Sequence, residues 1–168
     1  MVRDASVGMD PVNEADVDWS ETERDAARFR RKRLSSAAGG DALGCSLYEL
    51  PPGGSSWPYH HHEANEEAVY VLAGTGRLRT PGGEHELSPG DYVALPAGEA
   101  GAHRLSNDGD EPFRFLMTST MRDPDVTVYP DSGKIGVYAG AAPGGDDERS
   151  VDGYFRRADA VDYWLDEE

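Results

Sequence analysis

Three of the chain's five histidines stand side by side in "WPYHHHEANEEAVYVL", residues 57–72, and a glutamate pair, Glu66 and Glu67, follows four and five residues after the last of them. On a β-strand successive side chains alternate faces, so His60 and His62 project to one side and His61 to the other. Two imidazoles on one face make a two-pronged nitrogen site. Glu66 or Glu67 could add an oxygen, and imidazole with carboxylate suits a divalent ion such as Fe, Mn, Zn or Ni. A fourth donor should arrive from another strand, because ligands must converge on an ion from several directions. His103 is the candidate: the turn, apolar strand and second turn of "SPGDYVALPAGEAGA" return the chain beside the first hairpin. Three imidazoles and a carboxylate would leave two positions open on a six-coordinate ion. Such an ion could bind an oxygenated ligand in bidentate fashion, polarise a carbonyl or enediol or, if iron, activate dioxygen. His61 and the hairpin residue His85 read as core or surface filler. No serine or cysteine has a histidine and acid beyond this cluster, which argues against a nucleophilic hydrolase.

The elements that must hold these residues are strands. From Leu43 to Thr120 short apolar segments such as "AVYVLAG", "DYVALP" and "FRFLMTST" alternate with "PPGGSS", "AGTG", "SPGD" and "NDGDE", the glycine and proline punctuation of tight turns. No segment there sustains a helical period, so the expected class is all-β: one barrel over residues 43–120, with an N-terminal arm, first strand or strap over 1–42 and a C-terminal extension over 121–168. "WSETERDAARFRRKRLSSAAGG" holds one helix at most, and its basic run reads as a solvated edge or as counter-charge to the acidic arm. "AAPGGDDERS" reads as a mobile acidic loop. Tyr154, Phe155, Tyr163 and Trp164 carry too much aromatic surface to leave in water, so the tail is expected to pack on the barrel. Cys45 reads as a small buried strand residue.

At 168 residues the chain is one domain's worth, and its lone cysteine excludes an internal disulfide framework, consistent with a reducing cytoplasm. A net charge of -16, from 32 acidic residues against 16 basic, opposes general binding to nucleic acid or an anionic membrane. Only two of the basic residues are lysine, and an acidic, lysine-poor surface is of the halophilic kind. No apolar run approaches a membrane span, so the expectation is a soluble, cytoplasmic protein.

The segment "GSSWPYHHHEANEEAVYVLAG" resembles the first motif of the cupin superfamily, with Gly54, His60, His62, Glu67 and Gly74 in register. The second motif is matched by Gly90, Pro96, Gly98, His103 and Asn107, with a loop between Gly98 and His103 two residues longer than the family's. Register with Gly74 selects Glu67 over Glu66. The resemblance implies a small jelly-roll barrel (double-stranded β-helix) of two antiparallel sheets, often a homodimer, with His60, His62, Glu67 and His103 around a divalent metal near one mouth. It implies a small oxygen-rich ligand and an enzyme of the dioxygenase or sugar isomerase and epimerase kind. The alternative is a non-catalytic sensing module. Such modules usually carry a DNA-binding helix-turn-helix, and residues 1–42 do not present one.

Overall fold

The structure, a computed structural model, describes residues 10–25, 27–145 and 147–167. Among the described residues thirteen strands follow one another: β1 (Ser20–Arg24), β2 (Ala27–Arg33), β3 (Gly44–Leu50), β4 (His61–His62), β5 (Glu67–Ala73), β6 (Gly76–Thr80), β7 (Gly83–Leu87), β8 (Tyr92–Leu95), β9 (Arg104–Ser106), β10 (Phe113–Ser119), β11 (Asp125–Tyr129), β12 (Lys134–Ala139) and β13 (Val151–Arg156). One short helix, α1 (Leu34–Ala37), follows β2.

Every pairing is antiparallel, and the main sheet runs β1-β2-β3-β10-β5-β8. Its inner face carries Phe29, Tyr48, Leu50, Val69, Val71, Phe113 and Phe115, all buried, and Leu78, Leu87 and Leu105 pack against them from the other layer. Phe113 and Phe115 are fully enclosed with ring centroids 5.1 Å apart. Period-2 alternation thus sets both register and core.

The second layer departs from the expected single sheet. Among the described residues it divides into β13-β12-β11-β4 and β7-β6-β9, with the isolated bridges Ser55↔Ser106 and His60↔His103 between their flanking segments. Pro58, which has no N–H to give a ladder, precedes the first histidine, and a 3-10 turn at Glu99–Gly101 precedes His103. The barrel is therefore not a closed ladder on that side, and its strands reach beyond residues 43–120 at both ends.

At the N-terminal end the basic run is an interior strand of the main sheet. Ala27 and Phe29 face the core, and the next residues on that face are Arg31 and Arg33. Outward, Arg30 pairs with Glu49 at 2.7 Å, and Trp19 lies beneath the Arg30 and Lys32 cations at 4.4 and 4.8 Å. Glu14 meets Arg114 at 3.0 Å. Residues 13–24 are thus a strap held by charge and cation–π contacts; residues 1–9 of the arm lie outside the described residues.

Three further expectations are corrected. The tail docks only as far as β13: Val161, Tyr163 and Trp164 are 70, 81 and 71 % exposed, and the last two rings pack on each other, 4.8 Å apart, not on the barrel. The described residues of the loop, 140–145 and 147–150, are pinned: Arg149 donates to the carbonyls of Ala142 (3.0 Å) and Ala141 (3.3 Å), and Ala142 is buried. Cys45 is only half-buried and stands on a cavity wall, where burial raises its thiol pKa. Among the described residues no helix is long and apolar enough to cross a membrane.

Candidate metal centre

Two pieces of chain, 43 residues apart at His60 and His103, are brought together by a pair of backbone hydrogen bonds: His103 N–H donates to the His60 carbonyl at 2.8 Å, and His60 N–H returns the bond at 3.2 Å. The Gly98 N–H donates to the His62 carbonyl at 2.7 Å, tying the longer loop to the same strand. The two extra residues are taken up by the 3-10 turn. Gly101 in that turn leaves no room for a side chain, since a Cβ there would lie 1.8 Å from the Pro96 carbonyl oxygen. The two glycine-flanked segments are further locked by Asn107, whose N–H donates to the Gly54 carbonyl at 2.9 Å. Its own amide Nδ2 donates to the Leu50 and Glu111 carbonyls at 2.9 and 2.8 Å. Asn107 therefore holds the fold and does not face the cluster.

The imidazoles are oriented one by one. His60 Nδ1 lies 2.7 Å from the Pro58 carbonyl and His103 Nδ1 2.9 Å from the Gly101 carbonyl. A carbonyl only accepts, so each Nδ1 carries the hydrogen and each Nε2 presents a lone pair. His62 Nδ1 donates to Asp125 Oδ2 at 2.6 Å, with Thr127 Oγ1 at 3.2 Å, and Asp125 Oδ1 accepts the Ala64 N–H at 2.9 Å. His60, His62 and Glu67 bring their donor atoms within 4.8 Å of one another. His103 joins through Glu67, its Nε2 lying 3.4 Å from Oε2, and its ring stands 4.7 Å from that of His60. His61 points elsewhere, to Glu63 at 3.2 Å, and His85 is exposed on β7.

Electrostatics favour the neutral ring at His60 and His103 but not at His62. Burial, reinforced by the neighbouring imidazoles, holds His60 well below the usual value, and burial lowers His103 as well. Burial also acts to lower His62, but the Asp125 hydrogen bond and the Glu67 charge outweigh it and raise the net value. Asp125 is pushed up by burial and pulled down further by His62 and the Ala64 N–H, so it stays ionised.

The Glu67 Oε2 atom is buried with no hydrogen-bond donor, facing His62 Nε2 at 3.6 Å and His103 Nε2 at 3.4 Å. Neither separation is a hydrogen bond of useful strength. The His103 lone pair and the Glu67 oxygen face each other without a donor between them, and an unpaired buried carboxylate oxygen is costly. Atoms that bind one ion at roughly 2.0–2.2 Å stand about 2.8–3.6 Å apart at angles between 90 and 109°. The two Glu67 spacings fall in that interval and His60, His62 and Glu67 gather within 4.8 Å, so these residues fit a divalent cation; His103 lies outside that three-residue group and meets it through Glu67.

Asp125 and Thr127 went unnoticed in the sequence because β11 belongs to neither glycine-flanked segment. The available signal is an inverted alternation, "DVTVY", with polar residues inward: Asp125 and Thr127 are buried whereas Val126 and Val128 are half-buried. A ligating histidine held by a carboxylate depends on it for orientation and basicity. Asp125→Asn should therefore weaken metal affinity by roughly 10–100-fold, read by competition with a chelator. Wild-type affinity in that variant would contradict the role.

The Cupin domain family model matches residues 46–119. The L-ectoine synthase of Mycolicibacterium gilvum is 33% identical over 126 residues, covering 70% of this chain and 86% of that protein. A sugar phosphate isomerase from a cupin superfamily, from Silicibacter pomeroyi, superposes with a TM-score of 0.77 at 25% identity, covering 90% of this chain and 95% of its own. A protein from Acidithiobacillus ferrooxidans, provisionally described as a sugar phosphate isomerase, does so with a TM-score of 0.76 at 30% identity, covering 88 and 90% of the two chains.

Proposed function

This chain belongs to the cupin superfamily, and from that premise we propose that it is a metal-dependent enzyme that moves protons on a small oxygenated substrate, with His60, His62, Glu67 and His103 as ligands of a divalent cation. The observation that carries the reading is the buried Glu67 oxygen, without a hydrogen-bond partner, set against the Nε2 atoms of His62 and His103. A bound cation supplies a Lewis acid for a substrate carbonyl or hydroxyl oxygen.

The chain's own residues supply the rest. Tyr129 stacks beside His60, ring centroids 5.9 Å apart, on the wall of an open-mouthed cavity of about 350 Å³. Burial pushes its phenol up to about 12, so it keeps its proton at neutral pH and can donate a hydrogen bond to a substrate oxygen. Tyr138 donates to Tyr154 at 3.0 Å beside it, and burial raises Tyr138 as well. Neutral phenols around an oxygen that gains charge favour isomerisation or elimination beside a carbonyl. The relatives described as sugar phosphate isomerases support this direction over dioxygen chemistry.

The test incubates metal-loaded protein in D2O with small hydroxy-carbonyl compounds, follows deuterium incorporation by NMR, and records oxygen uptake in parallel. Metal-dependent exchange without oxygen consumption is expected, and Tyr129→Phe should slow it by about 10²-fold or more. Oxygen consumption coupled to turnover, or exchange indifferent to metal removal, would refute the proposal.

A further inference from the structure

The inner face of the β13-β12-β11-β4 sheet is laid out in rows. Side chains alternate along each strand, so Lys134, Gly136 and Tyr138 of β12 share the face that Tyr129, Thr127 and Asp125 occupy on β11. Tyr154 of β13 stands directly opposite Gly136 and belongs to the same face. One row therefore runs Thr127, Gly136, Tyr154, and the row beside it runs Tyr129, Lys134, Arg156. Gly136 is a gap in this face. A Cβ there would lie 2.7 Å from the Tyr138 hydroxyl oxygen and 3.0 Å from Tyr154 Cε1, so the glycine leaves the space that both tyrosines fill. The Tyr138 hydroxyl donates to that of Tyr154 at 3.0 Å. Tyr138 is buried, whereas Tyr154 is 62 % exposed on the outer strand of its sheet. An exposed ring is thus anchored by a buried one.

The anchored ring meets Tyr129, the hydrogen-bond donor of the proposed reaction. Their centroids are 6.1 Å apart at 60°, a tilted aromatic pair. Lys134 bridges the two: its Nζ stands 4.8 Å from the Tyr129 centroid and 5.8 Å from that of Tyr154, both within cation–π reach. From the β4 side the His60 ring stacks on Tyr129. Tyr129 is therefore held between His60, from one flanking strand, and the pair Lys134 and Tyr154, from the other. Tyr129, Tyr138 and Tyr154 all line the cavity. A donor must stay within hydrogen-bond reach of the substrate oxygen, and a displacement of about 1 Å costs about 10²-fold in rate.

We infer that Tyr154 is a positioning residue: anchored on Tyr138 and bridged by Lys134, it fixes the Tyr129 ring against His60. The inference rests on the proposed function for the role of Tyr129 and adds the device that orients it. It also gives the C-terminal extension a part in the site, because β13 delivers Tyr154 from beyond residues 46–119, the span matched by the family model.

Two measurements test it. The first needs no substrate: Tyr129 ring flips, read by NMR relaxation on zinc-loaded protein carrying 13C-labelled tyrosine, should quicken by about tenfold in Tyr154→Ala. Tyr154→Phe keeps the ring contact and loses only the hydroxyl pair, so it should quicken them less. The second follows zinc-dependent deuterium exchange on dihydroxyacetone. Tyr154→Ala should lower kcat by about tenfold with KM within about twofold of wild type, and Tyr154→Phe should recover most of the rate. In a Tyr129→Phe background Tyr154→Ala should cost nothing further, because its effect passes through Tyr129. Zinc content and far-UV circular dichroism should hold at the wild-type level, since Tyr154 is exposed and its ring partners are Tyr129 and Tyr138. An unchanged Tyr129 flip rate in Tyr154→Ala would overturn the inference, and so would an equal loss of rate in both backgrounds. Exchange that survives zinc removal, or Tyr129→Phe at the wild-type rate, sinks the proposed function, while the flip rate still decides whether Tyr154 holds Tyr129.

Discussion

His60→Ala, His62→Ala and His103→Ala should each strip the protein of its divalent metal, while His61→Ala leaves metal content at the wild-type level. Three imidazole Nε2 atoms converge with Glu67, each with its Nδ1 committed to Pro58, Asp125 or Gly101, whereas His61 turns to Glu63 on the opposite side of the strand. Removing a ligand deletes a bond to the ion and leaves the Glu67 charge less compensated. The loss should therefore exceed the roughly 10–100-fold that follows removal of an outer hydrogen-bond partner. Elemental analysis of the four purified variants reads the result directly. His61 is itself buried, so His61→Ala costs stability, which makes it a stringent control: a destabilised chain that keeps its metal separates ligation from folding. Equal metal content in all four would refute the ligand assignment.

Gly101→Ala should be the most damaging single-methyl change in the barrel. The added carbon would lie 1.8 Å from the Pro96 carbonyl oxygen, a backbone atom with no rotamer to escape into. The 3-10 turn must shift, and the turn carries the Gly101 carbonyl that fixes His103 Nδ1. The expected cost is about 1–3 kcal/mol of stability or more, measured by denaturant titration, with a parallel loss of metal affinity. Gly82→Ala, where the nearest atom is the Thr80 hydroxyl at 3.6 Å, should change stability by less than about 0.5 kcal/mol and leave metal binding alone. If Gly101→Ala were as mild as Gly82→Ala, the close approach of the turn to Pro96 would be wrong.

The cluster was legible in sequence because its geometry is local. His60 and His62 share a side through alternation, Glu67 opens the next strand, and a strand-and-turn count returns His103 to their edge. The partners that tune it were not legible, because they arrive by long-range pairing. Asp125 and Thr127 reach His62 only where two residues of β11 pair with β4, a match that no spacing within "YHHHEANEE" announces. The arginines were hidden differently. Composition marks "RFRRKR" as surface, and its outward members do meet Glu49 and Trp19, but the face begun by Ala27 and Phe29 continues through Arg31 and Arg33 into the cavity. The tail erred in the other direction: aromatic content predicts docking, yet β13 pairs with β12 while the rings of Tyr163 and Trp164 pair with each other.

The central claim is that one cation sits among His60, His62, Glu67 and His103. Anomalous diffraction from crystals of the metal-loaded protein, recorded on either side of the metal's absorption edge, tests it most directly. The prediction is a single strong peak about 2.0–2.2 Å from the Nε2 atoms of all three histidines and from a Glu67 carboxylate oxygen. A peak elsewhere, or one that excludes His103, would contradict the assignment.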